Sequence, residues 1–466
     1  MNADLLTAAL ENFKDQITDH VNDLKALVRI PSISFPGFDP MQVELSAEAV
    51  TDLLRKSGLH DVRILNAETG HPTVFGQWTA AQGKPTILLY AHHDVQPIGR
   101  EEHWATPPFE PSEQNGRLYG RGVSDDKGGV MMLVAAIESY LASTGSLPMN
   151  VKVAIEGEEE VGSTNLDQLL QGHRELFSAD VVLIADSENF ESGIPSLTAS
   201  LRGIVTVNIE VRALSSSVHS GTWGGPLPDP VLALAKMLAG LVDDQGQPSI
   251  PGLLDKVRIL SPAEKADLEA LPFKESLYRK QSKILSNVKM IGGEGSVYEK
   301  MWYRPSIAVN AIEASSRRQA ANIINDSAWA RVGIRIVPDM DPADTLDLLK
   351  KHLMRHAPPW GVEVRIEQES PSRWWRTDTK GPVFEAARAA LEKGYGRKPV
   401  IVGAGGSIPF VQTITEALGG IPALLFGVGD PYTAAHSENE SLLISDWESG
   451  CKSLIHLLAE LSHVKS

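Results

Sequence analysis

The sequence predicts an α/β protein, in which a domain built on a largely parallel sheet flanked by helices is interrupted by an inserted α+β domain. Short apolar runs at residues 86–90 (TILLY), 150–155 (NVKVAI), 180–185 (DVVLIA) and 422–426 (PALLF) read as strands buried on both faces, as parallel strands are. Helical patterns lie between these runs and glycine-marked loops follow several of them, which is the texture of an α/β layer. Around residues 204–211 (IVTVNIEV) and 330–337 (ARVGIRIV) apolar and polar residues alternate instead, as in antiparallel strands with one wet face. The second domain is therefore placed at 199–370, inserted into a discontinuous first domain of residues 1–198 and 371–466.

Along the first domain, Leu5, Leu6, Leu10, Phe13, Ile17, Val21, Leu24 and Leu27 recur at spacings of three and four and predict an amphipathic helix facing a core. Gly128 and Gly129 open an apolar helix (VMMLVAAIESYL), where glycines weaken the first turn and imply close packing. In the second domain residues 230–242 predict a helix, and a polar, proline-punctuated stretch follows to about Pro305. The α/β texture returns with a helix over 383–395. Cys451 sits in a helical pattern that buries it.

Composition narrows the function. The 466 residues are 42% hydrophobic and 22% charged, as in a folded globular protein, and are enough for two domains. The 59 acidic residues outnumber the 43 basic ones, a net charge of −16 that disfavours nucleic acid and anionic membranes and suits cationic metals. No apolar run reaches the ~18 residues of a membrane span, the opening residues lack the pattern of a signal peptide, and the single cysteine fits a reducing compartment. A cytoplasmic protein is expected.

Chemistry-bearing residues gather where strands end, which is where open α/β sheets place their sites. His92 and Asp94 follow the first run, and a histidine ligand needs a group such as Asp94 to hold its other ring nitrogen. Asp125 and Asp126 stand at a helix start, where one of them could simply be a cap. Glu158, Glu159 and Glu160 emerge after the second run, Asp186 after the third, and His436 in a polar loop after the last. Each has a plainer explanation as a turn residue. Together they make a two-cation site with mixed nitrogen and oxygen ligands the economical explanation. Signatures of other chemistries (HExxH, GxSxG, GxxxxGK[ST]) do not occur.

The stretches LVRIPSIS (27–34), AHHDVQP (91–97), GRGVSDDKGG (120–129), EGEEEVGS (156–163), VLIAD (182–186), SVHSGTWGG (217–225), RIVPDMDP (335–342), GGSIP (405–409) and AHSENE (435–440) span nearly the whole chain. In order and spacing they resemble the dinuclear-zinc aminoacylase, carboxypeptidase and dipeptidase family, and within it the carnosinase-like dipeptidases. The resemblance implies a zinc-peptidase catalytic domain and an inserted lid and dimerisation domain. It makes Asp125 a bridge between two zinc ions (manganese or cobalt as alternatives), with His92 and Asp186 on one and Glu160 and His436 on the other. Asp94 would orient His92, Glu159 would be general base on the bridging water, and the Asp125–Asp126 peptide would be cis.

The same resemblance gives His219 an oxyanion-stabilising role in a partner subunit's site, and gives Arg335 and Ser407 substrate binding, Arg335 on the substrate carboxylate. It thereby implies a homodimer acting on small peptides with a free C-terminal carboxylate, or alternatively a deacylase of N-acyl amino acids. The sequence departs from relatives at Val402-Gly403-Ala404, where an arginine often precedes GGSIP, and at Asn325, where proline is common. Three consecutive acids also leave the register of the pair open, although the following VGS favours Glu159 and Glu160.

Overall fold

The apolar runs become the inner strands of a six-stranded sheet. The computed structural model describes residues 2–67, 69–318, 320–406 and 409–464. Its main sheet contains β1 (His60–Leu65), β2 (Thr73–Trp78), β3 (Thr86–His92), β4 (Asn150–Glu156), β5 (Val181–Ile184) and β6 (Ala423–Leu425), in the order β1-β2-β4-β3-β5-β6. The β4-β3-β5-β6 pairings are parallel, and only β2 runs against its neighbours. Ile87, Leu88, Leu89 and Tyr90 are each at most 1% exposed, so β3 is covered on both faces.

Helices α1 (Asn2–Val28), α2 (Met41–Lys56), α3 (Lys127–Thr144), α4 (Pro382–Tyr395) and α5 (Ile444–Leu461) cover this sheet. Phe13 and Leu24 of α1, Ile137 and Tyr140 of α3, and Trp447 and Leu454 of α5 meet in one core, and Cys451 is buried in α5. The glycines opening α3 are there for close approach. A Cβ on Gly128 would sit 2.6 Å from the Val123 carbonyl oxygen, and one on Gly129 would collide with the Asp126 carboxylate. Lys127, fully buried, donates to the carbonyls of Leu27 (2.9 Å) and Ile30 (2.7 Å), tying the end of α1 to the start of α3. Burial pushes its ammonium down to about 7.

The chain divides into two compact units, Met1–Ala199 with Thr377–Val402 and Phe410–Ser466, and Ser200–Arg376 with Gly403–Pro409. The second unit holds a four-stranded antiparallel sheet in the order Ser306–Glu313, Ser327–Ile336, Gly203–Arg212, Glu363–Gln368. Its alternation buries Val205, Val207, Ile209, Val332 and Ile334 against helices Pro230–Ala239 and Pro342–His356. Both helices start with an aspartate cap followed by proline: Asp229 accepts from the amides of Val231 and Leu232, and Asp341 from that of Asp344. Within the polar stretch lie short helices, among them Pro262–Ala270 with a Ser261/Glu264 capping box. Among the described residues no helix is long and apolar enough to cross a membrane.

Candidate metal centre

Strand register gathers the site. In the parallel pairs His92 lies opposite Glu156 and Tyr90 opposite Ile184, so β3, β4 and β5 end at one edge of the sheet. His92 closes β3, Glu159 and Glu160 form a 3-10 turn just after β4, and Asp186 follows β5. Asp125 comes in from the loop before α3, across a cis peptide to Asp126, and His436 from the loop after β6. Asp126 does not cap α3; its carboxylate accepts the backbone N–H of His92 at 3.2 Å.

Asp125 stands between the two histidines, with Oδ1 3.1 Å from His92 Nε2 and Oδ2 3.0 Å from His436 Nε2. Around His92 Nε2 lie Glu159 Oε2 at 3.9 Å and Asp186 Oδ2 at 4.0 Å, while Glu160 Oε2 is 3.4 Å from His436 Nε2. Two groups therefore offer ligand atoms within 4.8 Å of one another, His92–Glu159–Asp186 and His92–Asp125–Glu160. His92 is wholly buried, whereas the His436 side chain is 59% exposed. Glu158 is occupied elsewhere, accepting from the backbone amides of Asn165 (2.7 Å) and His71 (3.1 Å).

Asp94, fully buried, organises two of these segments. His92 Nδ1 donates to its carbonyl (3.1 Å) and faces its Oδ1 (3.3 Å), which leaves Nε2 as the lone-pair nitrogen turned toward Asp125. The Asp94 carboxylate also accepts from the amides of Glu159 (3.2 Å) and Glu160 (3.1 Å) and from the Ser34 hydroxyl (2.6 Å). The neighbouring His93 is an ordinary core histidine: Nε2 donates to the Pro72 carbonyl at 3.1 Å, and burial lowers the ring to about 4.

The donor set fits a pair of divalent cations. Burial first, and then the Asp125 charge, pushes Asp186 up to about 6 and Glu160 well above the ordinary carboxylate range. Glu159 is likewise raised well above that range by burial, reinforced by Asp186 and Asp125. For Asp125 burial acts upward too, but the adjoining imidazoles of His436 and His92, were they to carry the protons that cations would replace, prevail and hold it well below. Glu160 Oε1 is buried with no hydrogen-bond partner among the described residues. Protons crowd onto such a cluster unless cations replace them, and imidazole with carboxylate suits zinc, manganese or cobalt.

The two other expected site residues that are described belong to the second unit. His219 is exposed and caps the turn Ser220–Trp223, with Nδ1 accepting from the amides of Gly221 (3.0 Å) and Thr222 (3.2 Å). Arg335 sits near the end of strand Ser327–Ile336, opposite Ile204 and Ser306. Ser407 lies outside the described residues. What sequence reasoning missed is the support around the centre: Gln96, which donates to Glu160 Oε2 at 2.6 Å, and the buried pair Arg121–Glu440 at 2.7 Å.

A mostly parallel sheet whose strand ends collect two histidines and several carboxylates defines a metal-dependent hydrolase. The profile of peptidase family M20/M25/M40 matches residues 88–460, and the chain belongs to this family of metallopeptidases. It is 33% identical over 408 residues to the cysteinylglycine-S-conjugate dipeptidase of Corynebacterium striatum, covering 86% of each chain. It is 30% identical to the Cys-Gly metallodipeptidase of Schizosaccharomyces pombe, over 99% of both. Among solved structures, human carnosine dipeptidase 1 superposes with a TM-score of 0.86 at 25% identity, over 99% of both chains.

Proposed function

We propose that the protein is a dipeptidase that hydrolyses dipeptides or short peptides with a free C-terminal carboxylate, using two zinc ions. The observation that carries it is Asp125, whose two oxygens face His92 and His436 at 3.1 and 3.0 Å, an arrangement suited to one carboxylate shared by two cations. His92 and Asp186 would hold one ion and Glu160 and His436 the other; when bound, the pair makes water acidic and polarises the scissile carbonyl. Glu159 takes the proton from the attacking water and passes it to the leaving amine, and Asp94 keeps His92 and the Glu159–Glu160 turn in place. The named activities of the similar proteins support a dipeptide as substrate. The buried lone cysteine agrees with a cytoplasmic setting.

Full-length protein stripped of metal and reloaded with zinc, manganese or cobalt should cleave members of a dipeptide panel, and lose that activity again to a chelator. Faster release of amino acids from N-acetyl substrates than from every dipeptide would replace this function by deacylation.

The second unit would supply the partner-subunit residues of a homodimer. Because Nδ1 of His219 accepts two backbone N–H groups, the neutral ring carries its proton on Nε2, at the solvent-exposed end. Such a fixed donor suits the anion that develops as a carbonyl becomes tetrahedral, worth ~3–4 kcal/mol. Arg335 would grip the substrate carboxylate bidentately, with Ser407 beside the substrate. Mixing inactive His219→Ala chains with inactive Glu159→Gln chains is then expected to restore activity, since each mixed dimer has one site with both residues intact. Differently tagged chains must first be shown to exchange; mixed dimers without activity would remove His219 from the partner's site.

A further inference from the structure

The loops bearing Asp125 and His436 are joined by a buried carboxylate to which the proposed chemistry assigns nothing. Glu440 is 0% exposed. Its Oε2 accepts from Arg121 Nη1 at 2.7 Å and the Gly122 amide at 2.9 Å, and its Oε1 from the amides of Ser124 (2.9 Å) and Asp125 (3.1 Å). Three amides of one short loop thus converge on a single anion, a turn that Gly122 permits at φ +78°. The Gly120 amide donates to the Glu440 carbonyl at 3.0 Å, and Arg121 reaches back to the Ser437 carbonyl at 3.0 Å, one residue from His436. The two loops are therefore pinned to each other on either side of the 3.0 Å approach between Asp125 and His436.

We propose that Glu440 is a positioning residue for the cation held by Asp125, Glu160 and His436. It fixes the Asp125 backbone against the His436 loop, and so sets the bite of that ligand set. The proposal rests on the two-cation function given above. Asp125 is common to both ions, so both feel a change at Glu440, but the proposal concerns one ion more than the other: the loop pinned to Asp125 carries His436, whereas His92 ends β3 and Asp186 follows β5. A glutamine at 440 would keep the shape but turn an NH2 group toward donors, breaking bonds to one pair of them.

Full-length protein loaded with Co(II) and titrated against a competing chelator, with visible absorption as readout, tests this. Wild type should release two ions in separable steps. Glu440→Gln should weaken one of them ~10–100-fold, the range for removing a partner behind a metal ligand, and leave the other within ~3-fold. In a His436→Ala background the same change should add nothing at that step. Asp430→Asn is the control for a merely structural effect, since it breaks a similarly short but less buried pair with Arg117 (2.8 Å) on the same stretch of chain and should lower Tm without separating the two ions. If Glu440→Gln does not melt cooperatively, Glu440→Asp, which keeps the charge on a shorter arm, carries the same expectation. Equal weakening of both ions, or of neither, overturns the positioning role. Release of a single ion from wild type overturns the two-cation function itself and this proposal with it.

Discussion

Asp125→Asn is expected to empty both cation positions while leaving the chain folded. The reason lies in charge as much as geometry. Two dications a few ångströms apart repel strongly in a buried site, and a shared carboxylate offsets that repulsion for both at once. Asparagine keeps the volume but removes the charge, and it presents an NH2 group to whichever histidine loses its oxygen; the oxygens concerned now lie 3.1 Å from His92 and 3.0 Å from His436. Affinity for both ions should fall by more than the ~10²-fold upper range seen when only a supporting residue is lost, and turnover should fall to background. Glu160→Gln gives the contrast, since its carboxylate lies near His436 and should cost one ion first. Elemental analysis after desalting decides between these outcomes, with the Tm of the metal-free proteins as the check on folding. An Asp125→Asn protein that retains two ions would sink the shared-carboxylate arrangement.

The catalytic sheet was legible because its inner strands are buried on both faces, and continuous apolar runs such as TILLY have no other good use at that length. The edge was not. Strand β1 (HDVRIL) is mostly exposed and β2 (TVFGQW) carries Gly76 under Leu54 and Leu59, so neither shows a clean two-residue alternation. The short helices between 243 and 305 also escaped, because their stability comes from caps such as Ser261–Glu264 and not from an apolar stripe.

At the metal centre, residue type and position relative to strand ends pointed to two histidines and a surplus of carboxylates; the family resemblance singled out His92, Asp125, Glu159, Glu160, Asp186 and His436 among them, and the fold brings these six together with Asp94. Glu440 stood within the same AHSENE stretch yet gave no signal of its role, because most of its partners are backbone amides from a loop some 315 residues away. Side-chain patterns carry no record of such bonds. His92 and His93 make the same point from the other direction. Adjacent and identical in type, they differ only in what the fold puts beside them, carboxylates for one and the Pro72 carbonyl for the other.

Glu159→Gln should separate proton transfer from metal holding. The geometry leaves both roles open to this side chain, since Glu159 Oε2 lies 3.9 Å from His92 Nε2 and groups with His92 and Asp186 as a ligand set. Its placement leaves the carboxylate free for the proton: Glu159 is held by its backbone amide, which donates to Asp94 at 3.2 Å, so its carboxyl group is not needed to hold the turn. Glutamine matches it in size and can still donate or accept one hydrogen bond, but it cannot take up the proton of the attacking water. The expected loss in kcat is ~10²–10⁴-fold, or ~3–5 kcal/mol of barrier, with KM changed little and metal content unchanged from wild type. If the variant instead loses an ion together with its activity, Glu159 is a ligand, and if it keeps most of its turnover, the base is another group.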